Sequence, residues 1–459
     1  MKPFVEAQIG VLVETMKDKT KHLRIPVPDP TPPAPTPPVV SGFPRIWSYQ
    51  GNHSNGTPLM TSPGVFDQSI ITALGKRHLV TFASGPWTNT GQPSNQNVIP
   101  LVRAASIHPD QKILVYELWQ FFTQALITTS LAGQQWLQVL GPPDRRVFFD
   151  ALNGGGYYAF NNPISGLYID YGNGGTGHPV IGVTMANLWK QFAQGKADGY
   201  FFDVFGGNVF ANVNPAGYGT VAALNAANDA ECKAFVNAML GTGLCYFNRG
   251  FFSNVLDDTT SFKMTGELYE GWDPGQGGGN ALPPIINNST QSFDQIMTTA
   301  LSRPWTAAGT ALIKSENDGG FPGANAWERN SRFGLASSCI LSGMHTMWKG
   351  NQDATAALWW ADEYSVALPG GVTDFTAAHM GWLGQPIEAA HFTGTTGCWT
   401  RRFQNGIVAV NGDQTNTHTI NLGAQYRRIT GTQFPSVNDG SIEQNATIQG
   451  KDGRFYVNL

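Results

Sequence analysis

Eight short runs rich in apolar residues recur between residues 42 and 390, with helically spaced segments between several of them. The runs are Arg45–Gln50, His78–Ala83, Lys112–Glu117, Gly199–Val204, Gly243–Asn248, Phe262–Glu267, Thr310–Ser315 and His345–Lys349. Near-continuous apolar runs mark strands buried on both faces, as in a parallel sheet covered by helices. Helical patterns at Val183–Gln194, Val221–Leu240, Ser292–Leu301 and Asn325–Leu341 supply such cover. The alternation predicts an α/β chain folded as a (β/α)8 TIM barrel. Gly166–Gly172 also reads as a strand. It is assigned to an insertion before the fourth strand, and counting it in the barrel would shift the numbering by one.

The fourth run is the most informative. Tyr200-Phe201-Phe202 leads into Asp203, and Gly206-Gly207 follows. In a β/α barrel the reacting groups stand where strands end. Asp203 is therefore the first candidate catalytic residue, although an aspartate there also serves as a helix cap or turn residue. Glu267 ends the sixth expected strand and Glu270 opens its loop, so both are candidate catalytic partners across the same mouth. Tyr269 and Trp272 are candidate stacking surfaces beside them. Glu117, Asp170 with Tyr171, Asn248 with Arg249, and Glu316 also fall at apparent strand ends and are candidate substrate-binding residues. Paired carboxyl groups, one donating a proton and one acting as nucleophile or base, are what glycosidic bond cleavage requires.

Composition favours an uncharged polar ligand. Charged residues make up 13% of the chain, about half the usual share. Aromatic residues make up 12%, including 13 Trp. Aromatic faces stack on pyranose rings and side-chain amides bond hydroxyls, so sugars suit this surface; extracellular and particle-bound proteins share the composition whatever they bind. The net charge of −4 includes no basic cluster, which argues against nucleic acid. No run of about 18 apolar residues is present to span a membrane. The four cysteines lack zinc-site spacing, the glycine runs lack a dinucleotide-site context, and no metal or cofactor is expected. Cys232 and Cys245 are close enough in sequence to pair in an oxidising compartment, with buried thiols the other reading.

The flanks differ from the middle. In residues 1–24, Val5, Ile9, Leu12 and Met16 make one apolar stripe at helical spacing, which reads as an anchoring arm or as a frayed terminus. Glu6, Gln8 and Glu14 interrupt any signal-peptide core. Residues 25–41 hold eight prolines and form a Pro-rich linker, extended at about 3.1 Å per residue where polyproline-like. A stiff spacer between an amphipathic segment and a large body implies tethering to a protein assembly. Residues 391–459 carry short alternating runs at Trp399–Phe403, Ile407–Asn411, His418–Leu422, Tyr426–Ile429, Ala446–Ile448 and Arg454–Asn458, separated by turn residues. They predict a C-terminal antiparallel β-sandwich.

Several segments, in order, resemble the hypothetical glycosyl hydrolase-like family numbered fifteen. They are Lys112–Tyr116, Asp198–Asp203, Gly266–Glu270, Asp362–Leu368 with Leu383–Pro386, and Trp399–Asn411. The resemblance spans residues 43–459 and rests on order and spacing, because each motif is degenerate. It implies a barrel joined to a β-sandwich, and action on glycosidic bonds. Gly206-Gly207 departs from the family, whose members more often carry a polar residue there, and the N-terminal arm lies outside it. The arm resembles the anchors that hold phage enzymes on a virion, which implies an extracellular or virion-associated protein.

Two functions follow. The first is a glycoside hydrolase acting on a polysaccharide or cell-surface glycan, tethered through residues 1–24. The second is a glycan-binding or structural particle protein that keeps the barrel without turnover.

Overall fold

The computed structural model describes residues 42–50, 60–62, 65–83, 95–118, 121–123, 149–150, 156–157, 159–160, 164–168, 197–203, 243–248, 264–269, 272, 292–316, 326–348, 360–368, 372–373 and 379–459, with single helical positions within 183–190 and 230–239. All belong to one compact unit, residues 41–459. The N-terminal arm and the Pro-rich linker lie outside the described residues.

Eight strands form one parallel sheet: β1 (Trp47–Gln50), β2 (Leu79–Ala83), β3 (Lys112–Leu118), β4 (Gly199–Asp203), β5 (Leu244–Phe247), β6 (Gly266–Tyr269), β7 (Leu312–Glu316) and β8 (Met344–Trp348). Sheet order follows chain order. Ile46 bridges His345 in parallel, and the His345 amide donates to the Arg45 carbonyl at 3.0 Å, so the last strand meets the first and the barrel closes. Each strand corresponds to one of the eight apolar runs. The Ile164–Tyr168 segment pairs instead with Phe121–Thr123 and Ala159–Phe160 in a separate antiparallel sheet, which leaves the barrel count unchanged.

The sixth strand departs from expectation. It runs Gly266–Tyr269, about four residues later than the sequence pattern suggested. A glutamate interrupts the apolar run and suggests its end. Glu267 instead lies inside the ladder opposite Phe247, and the apolar run resumes with Leu268 and Tyr269. Gly266 fits this start, since a Cβ there would lie 2.1 Å from the Thr310 carbonyl oxygen and 2.5 Å from the Tyr246 ring.

Alternation divides each strand between two cores. Trp47, Leu79, Leu114, Phe201, Tyr246, Leu268, Leu312 and Met344 fill the lumen together with Tyr116. The other parity faces the helices. Helices α1 (Gln68–Gly75) and α2 (Asn95–Ala105) cover Val80, Phe82 and Ile113 with Ile70, Ile71, Leu74, Val98, Ile99 and Val102. Phe202 meets Phe235 edge-on at 4.8 Å. Each such fully buried apolar side chain contributes on the order of 2 kcal/mol. Helix α3 (Phe293–Leu301) begins with a capping box between Ser292 and Gln295, and α4 (Pro304–Ala307) follows it.

Helix α5 (Ala326–Ile340) is covered on two sides. One side lies on β7 and β8. The other meets the C-terminal sheet, whose order is β9 (His391–Phe392), β10 (Cys398–Phe403), β11 (Gly406–Asn411), β14 (Asp452–Val457), β12 (His418–Arg428) and β13 (Ile442–Ile448). Trp399, Phe403, Val408, Val410, Phe455 and Val457 share a core with α5. The opposite face buries Ile407, Ala409 and Tyr456 under Ile420, Leu422, Ala446 and Ile448, so β12 and β13 curl over to make a second layer. The two expected strands at 418–422 and 426–429 are one strand, with a register break between Asn421 and Tyr426.

Polar groups join α5 to this sheet. Asp452 takes Arg332 Nε at 2.9 Å and Arg454 Nη1 at 2.5 Å, all three side chains being at least nine-tenths buried. Burial alone would raise the Asp452 carboxyl; the two guanidinium groups overcome it and hold the carboxyl below its ordinary value.

Candidate active site

Moving two residues toward the C-terminal end of the barrel changes the lumen from apolar to polar. On five strands the inward residue becomes Thr81 after Leu79, Tyr116 after Leu114, Asn248 after Tyr246, Lys314 after Leu312 and Thr346 after Met344, and Asp203, two residues after Phe201, ends β4. Side chains two apart share a strand face, so these positions form one ring at the barrel mouth. Asn248 and Lys314 are only 1% and 3% exposed. Thr81 Oγ1 donates to the Ser48 carbonyl at 3.1 Å, and the Asn248 amide donates to the Phe202 carbonyl at 2.7 Å, which carries the β5 ladder to the level of Asp203. The Trp272 amide donates to the Lys314 carbonyl at 3.0 Å and ties the segment after β6 to β7.

Asp203 is the last residue of β4, opposite Leu118 of β3 in the ladder. Glu267 has the other parity. It is 1% exposed and lies on the outer face of the wall, level with Phe247. Tyr269 shares that face: its hydroxyl accepts from Trp305 Nε1 at 2.7 Å, and its ring lies 5.9 Å from Trp272. Tyr269 and Trp272 are both in the outer core, at 0% and 2% exposure, so packing uses the faces that were expected to stack on a ligand. Glu117 stands opposite Phe202 in β3, and Glu316 ends β7 opposite Trp348. Glu270, Asp170, Tyr171 and Arg249 lie outside the described residues.

The ring adds Thr81, Tyr116, Lys314 and Thr346 to the candidates. No local motif marks them, because each sits on a separate strand. The usable signal is that each follows an inward apolar residue by two.

A Ser–His pair elsewhere has different surroundings. Ser315 Oγ lies 3.0 Å from His345 Nε2, on the outer face of β7 and β8 beneath α5. A Cβ on Gly334 would lie 1.9 Å from Ser315 Oγ and 2.7 Å from His345 Nε2, so the helix seals the pair. Burial, reinforced by the Arg77 guanidinium, pushes the His345 pKa down to about 3 and leaves the ring neutral. Both side chains are fully buried, which leaves no room for a reacting carbonyl beside the hydroxyl. Cys245 and Cys339 are buried thiols with pKa values pushed up to about 12 by burial, so neither is a nucleophile near neutral pH. Among the described residues no cluster of three His, Cys, Asp or Glu side chains forms a metal site, and no helix is long and apolar enough to cross a membrane.

Neither a protein-family model nor a curated protein matches the sequence. Solved structures do share the fold. The isomalto-dextranase of Arthrobacter globiformis T6, solved with panose, superposes with a TM-score of 0.50 at 13% identity, covering 91% of this chain and 72% of that one. A maltogenic α-amylase from Thermotoga neapolitana gives a TM-score of 0.45 at 10% identity, over 85% of this chain and 92% of that one. The α-amylase of H. orenii gives 0.43 at 7% identity, over 91% and 99%. The fold is a TIM barrel followed by an antiparallel β domain.

Proposed function

We propose that this protein is a glycoside hydrolase whose site is the C-terminal mouth of the barrel. The observation that carries the reading is the change from an apolar lumen to polar residues at the end of the barrel where Asp203 terminates β4. In this reading Asp203 is one of the two carboxyl groups that flank the scissile bond, and Glu270, two residues after inward-facing Leu268, is the other. Glu267 is assigned to the barrel wall because its strand parity is the outward one. One carboxyl group protonates the leaving oxygen; the other attacks the anomeric carbon or activates water, at separations of about 5 to 5.5 Å or 6.5 to 9.5 Å respectively. Asn248 and the ring threonines supply hydrogen bonds to sugar hydroxyls.

The proposed substrate is a polysaccharide. α-Glucans are the first class to test, since the isomalto-dextranase carries the same architecture. The amphipathic residues 1–24 and the linker 25–41 are proposed to tether the enzyme to a larger assembly, with a virion one such carrier. The decisive experiment is a glycan panel with the full chain and with Asp203→Asn and Glu270→Gln. Cleavage of one glycan class by the wild type alone supports the assignment. Full activity in both variants overturns the site, and binding without cleavage by the wild type replaces the hydrolase with a glycan-binding protein. Deleting residues 1–38 tests the tether by loss of association with the assembly while turnover persists.

A further inference from the structure

Among the described residues β9 is an outer strand of the C-terminal sheet, and it carries an aromatic ring that packing leaves open. Phe392 is 41% exposed. It stands opposite Trp399 of β10 in the ladder, so both rings lie on one face of the sheet, with centroids 5.5 Å apart. Trp399 is buried and fixed in turn: its Nε1 donates to Asp294 Oδ1 at 2.8 Å, and the Gly397 amide donates to Asp294 Oδ2 at 3.0 Å. Asp294 is in the first turn of α3, the helix that follows β6. Helices of a β/α barrel begin at the mouth end, so these bonds hold the Phe392 hairpin at the same end of the molecule as the mouth. From Ala389 to Thr400 the sequence has no Lys, Arg, Asp or Glu. Glu388, just before it, is paired with Arg402 at 2.6 Å. The hairpin is closed by its own backbone: the Thr393 amide donates to the Cys398 carbonyl at 3.1 Å, and the Cys398 amide donates to the Thr395 carbonyl at 2.9 Å. Thr396 is exposed at the turn. A lone exposed apolar side chain needs no explanation in itself. Here the ring rests on an anchored indole, and its neighbours in the hairpin carry hydroxyls and no charge.

We propose that Phe392 and its hairpin form an accessory glycan-contact site on the C-terminal domain, separate from the barrel mouth, which holds a further stretch of the same neutral polysaccharide. A pyranose ring presents apolar C–H faces and a rim of hydroxyls. The open face of Phe392 takes the first, and the exposed Thr396 hydroxyl suits the second. A neutral surface costs a neutral ligand no desolvated charge. The inference rests on the proposal that the protein acts on a glycan, and not on turnover. A polysaccharide held at two places on one molecule gains from the high local concentration of the second site, which a short oligosaccharide cannot reach.

The test uses the full chain, run through native gels cast with dextran or soluble starch, as wild type, Phe392→Ala and Phe392→Trp. Retardation of the wild type that Phe392→Ala weakens by about two- to tenfold and Phe392→Trp keeps supports the proposal. In turnover, Phe392→Ala should raise KM on the polysaccharide by a similar factor, with kcat and the cleavage of short oligosaccharides unchanged. A wild type that neither gel retards, or Phe392→Ala retarded as strongly as the wild type, overturns it. If Phe392→Ala dissociates an oligomer in sedimentation and keeps its retardation, the ring is a contact between copies and the proposal falls. Retardation that depends on Phe392, without cleavage by the wild type, removes the hydrolase reading and leaves this site standing. Cleavage lost in Asp203→Asn, with Phe392→Ala retarded normally, does the reverse. If Phe392→Ala does not fold, Phe392→Leu, which keeps apolar bulk without the aromatic face, replaces it under the same criteria.

Discussion

On β7, Lys314 points into the barrel mouth, and the next residue, Ser315, points out beneath helix α5. The same contrast runs through the wall. Asn248, Lys314 and Thr346 lie on the inner face near the C-terminal end; Glu267, Ser315 and His345 lie on the outer face under helices. Residue types that serve catalysis occur on both faces. The outer ones are closed in by Phe247, by α5 and by the absent Cβ of Gly334, and their polar atoms serve packing. The inner ones border the end of the barrel where strands give way to loops. Polar chemistry alone does not locate a site in such a fold; strand parity and height in the barrel do.

The comparison predicts that inner-face changes alter chemistry and outer-face changes alter stability. The largest effect is expected from Asp203→Asn, with turnover falling by about a thousandfold or more, as loss of a group acting only in the transition state would require, and the thermal midpoint little changed. Comparable turnover in the variant breaks the contrast at its inner end. Next comes the ion network that holds α5 to the C-terminal sheet. Asp452→Ala leaves two buried guanidinium groups without their carboxylate and should cost about 3 to 5 kcal/mol by urea unfolding, with kcat per folded molecule unaffected.

The acid response sharpens the outer half. His345 has its pKa lowered to about 3 by burial, and His78 is held well below its ordinary value by burial and then by His108 and Arg45. Both folded-state values lie below that of the unfolded chain. Above about pH 6.5 neither state binds the proton and the two histidines contribute no pH dependence; below it the unfolded chain binds protons that the folded one does not. His345 should therefore lower stability by about 1 kcal/mol per pH unit between about pH 6.5 and 3, and His78 acts in the same direction. His345→Gln should flatten that slope, and an equal slope in the variant would remove His345 from the account. The smallest effect is expected at the rim: Arg103, half exposed in its ion pair with Asp198 at 3.0 Å, should cost under about 1 kcal/mol on replacement by Ala.

All eight barrel strands were legible because each is buried on both sides, and Tyr200-Phe201-Phe202 can hardly be anything else. The sixth was misplaced because a buried glutamate interrupts the run that it belongs to. Helix α1 escaped notice through its brevity, and α2 through Pro100 within it. Asp203 and Asn248 stand out in the sequence as candidates because each closes an apolar run. Lys314 and Thr346 could not be joined to them, since only the register of neighbouring strands brings residues so far apart in the chain to one level. Tyr269 and Trp272 looked like ligand platforms because composition cannot tell an aromatic residue facing a cleft from one facing a helix.

The ion pair between α5 and β14 also has a consequence for biosynthesis. Arg332 is separated from its carboxylate partner by 120 residues. From the time β8 is made until β14 emerges, α5 has strands β7 and β8 on one side and, on the other, apolar surface and Arg332 without its Asp452 carboxylate. A nascent barrel with all eight strands already synthesised therefore still exposes one sticky, charged flank, and the interval before β14 emerges is when this chain would be most prone to misassociate.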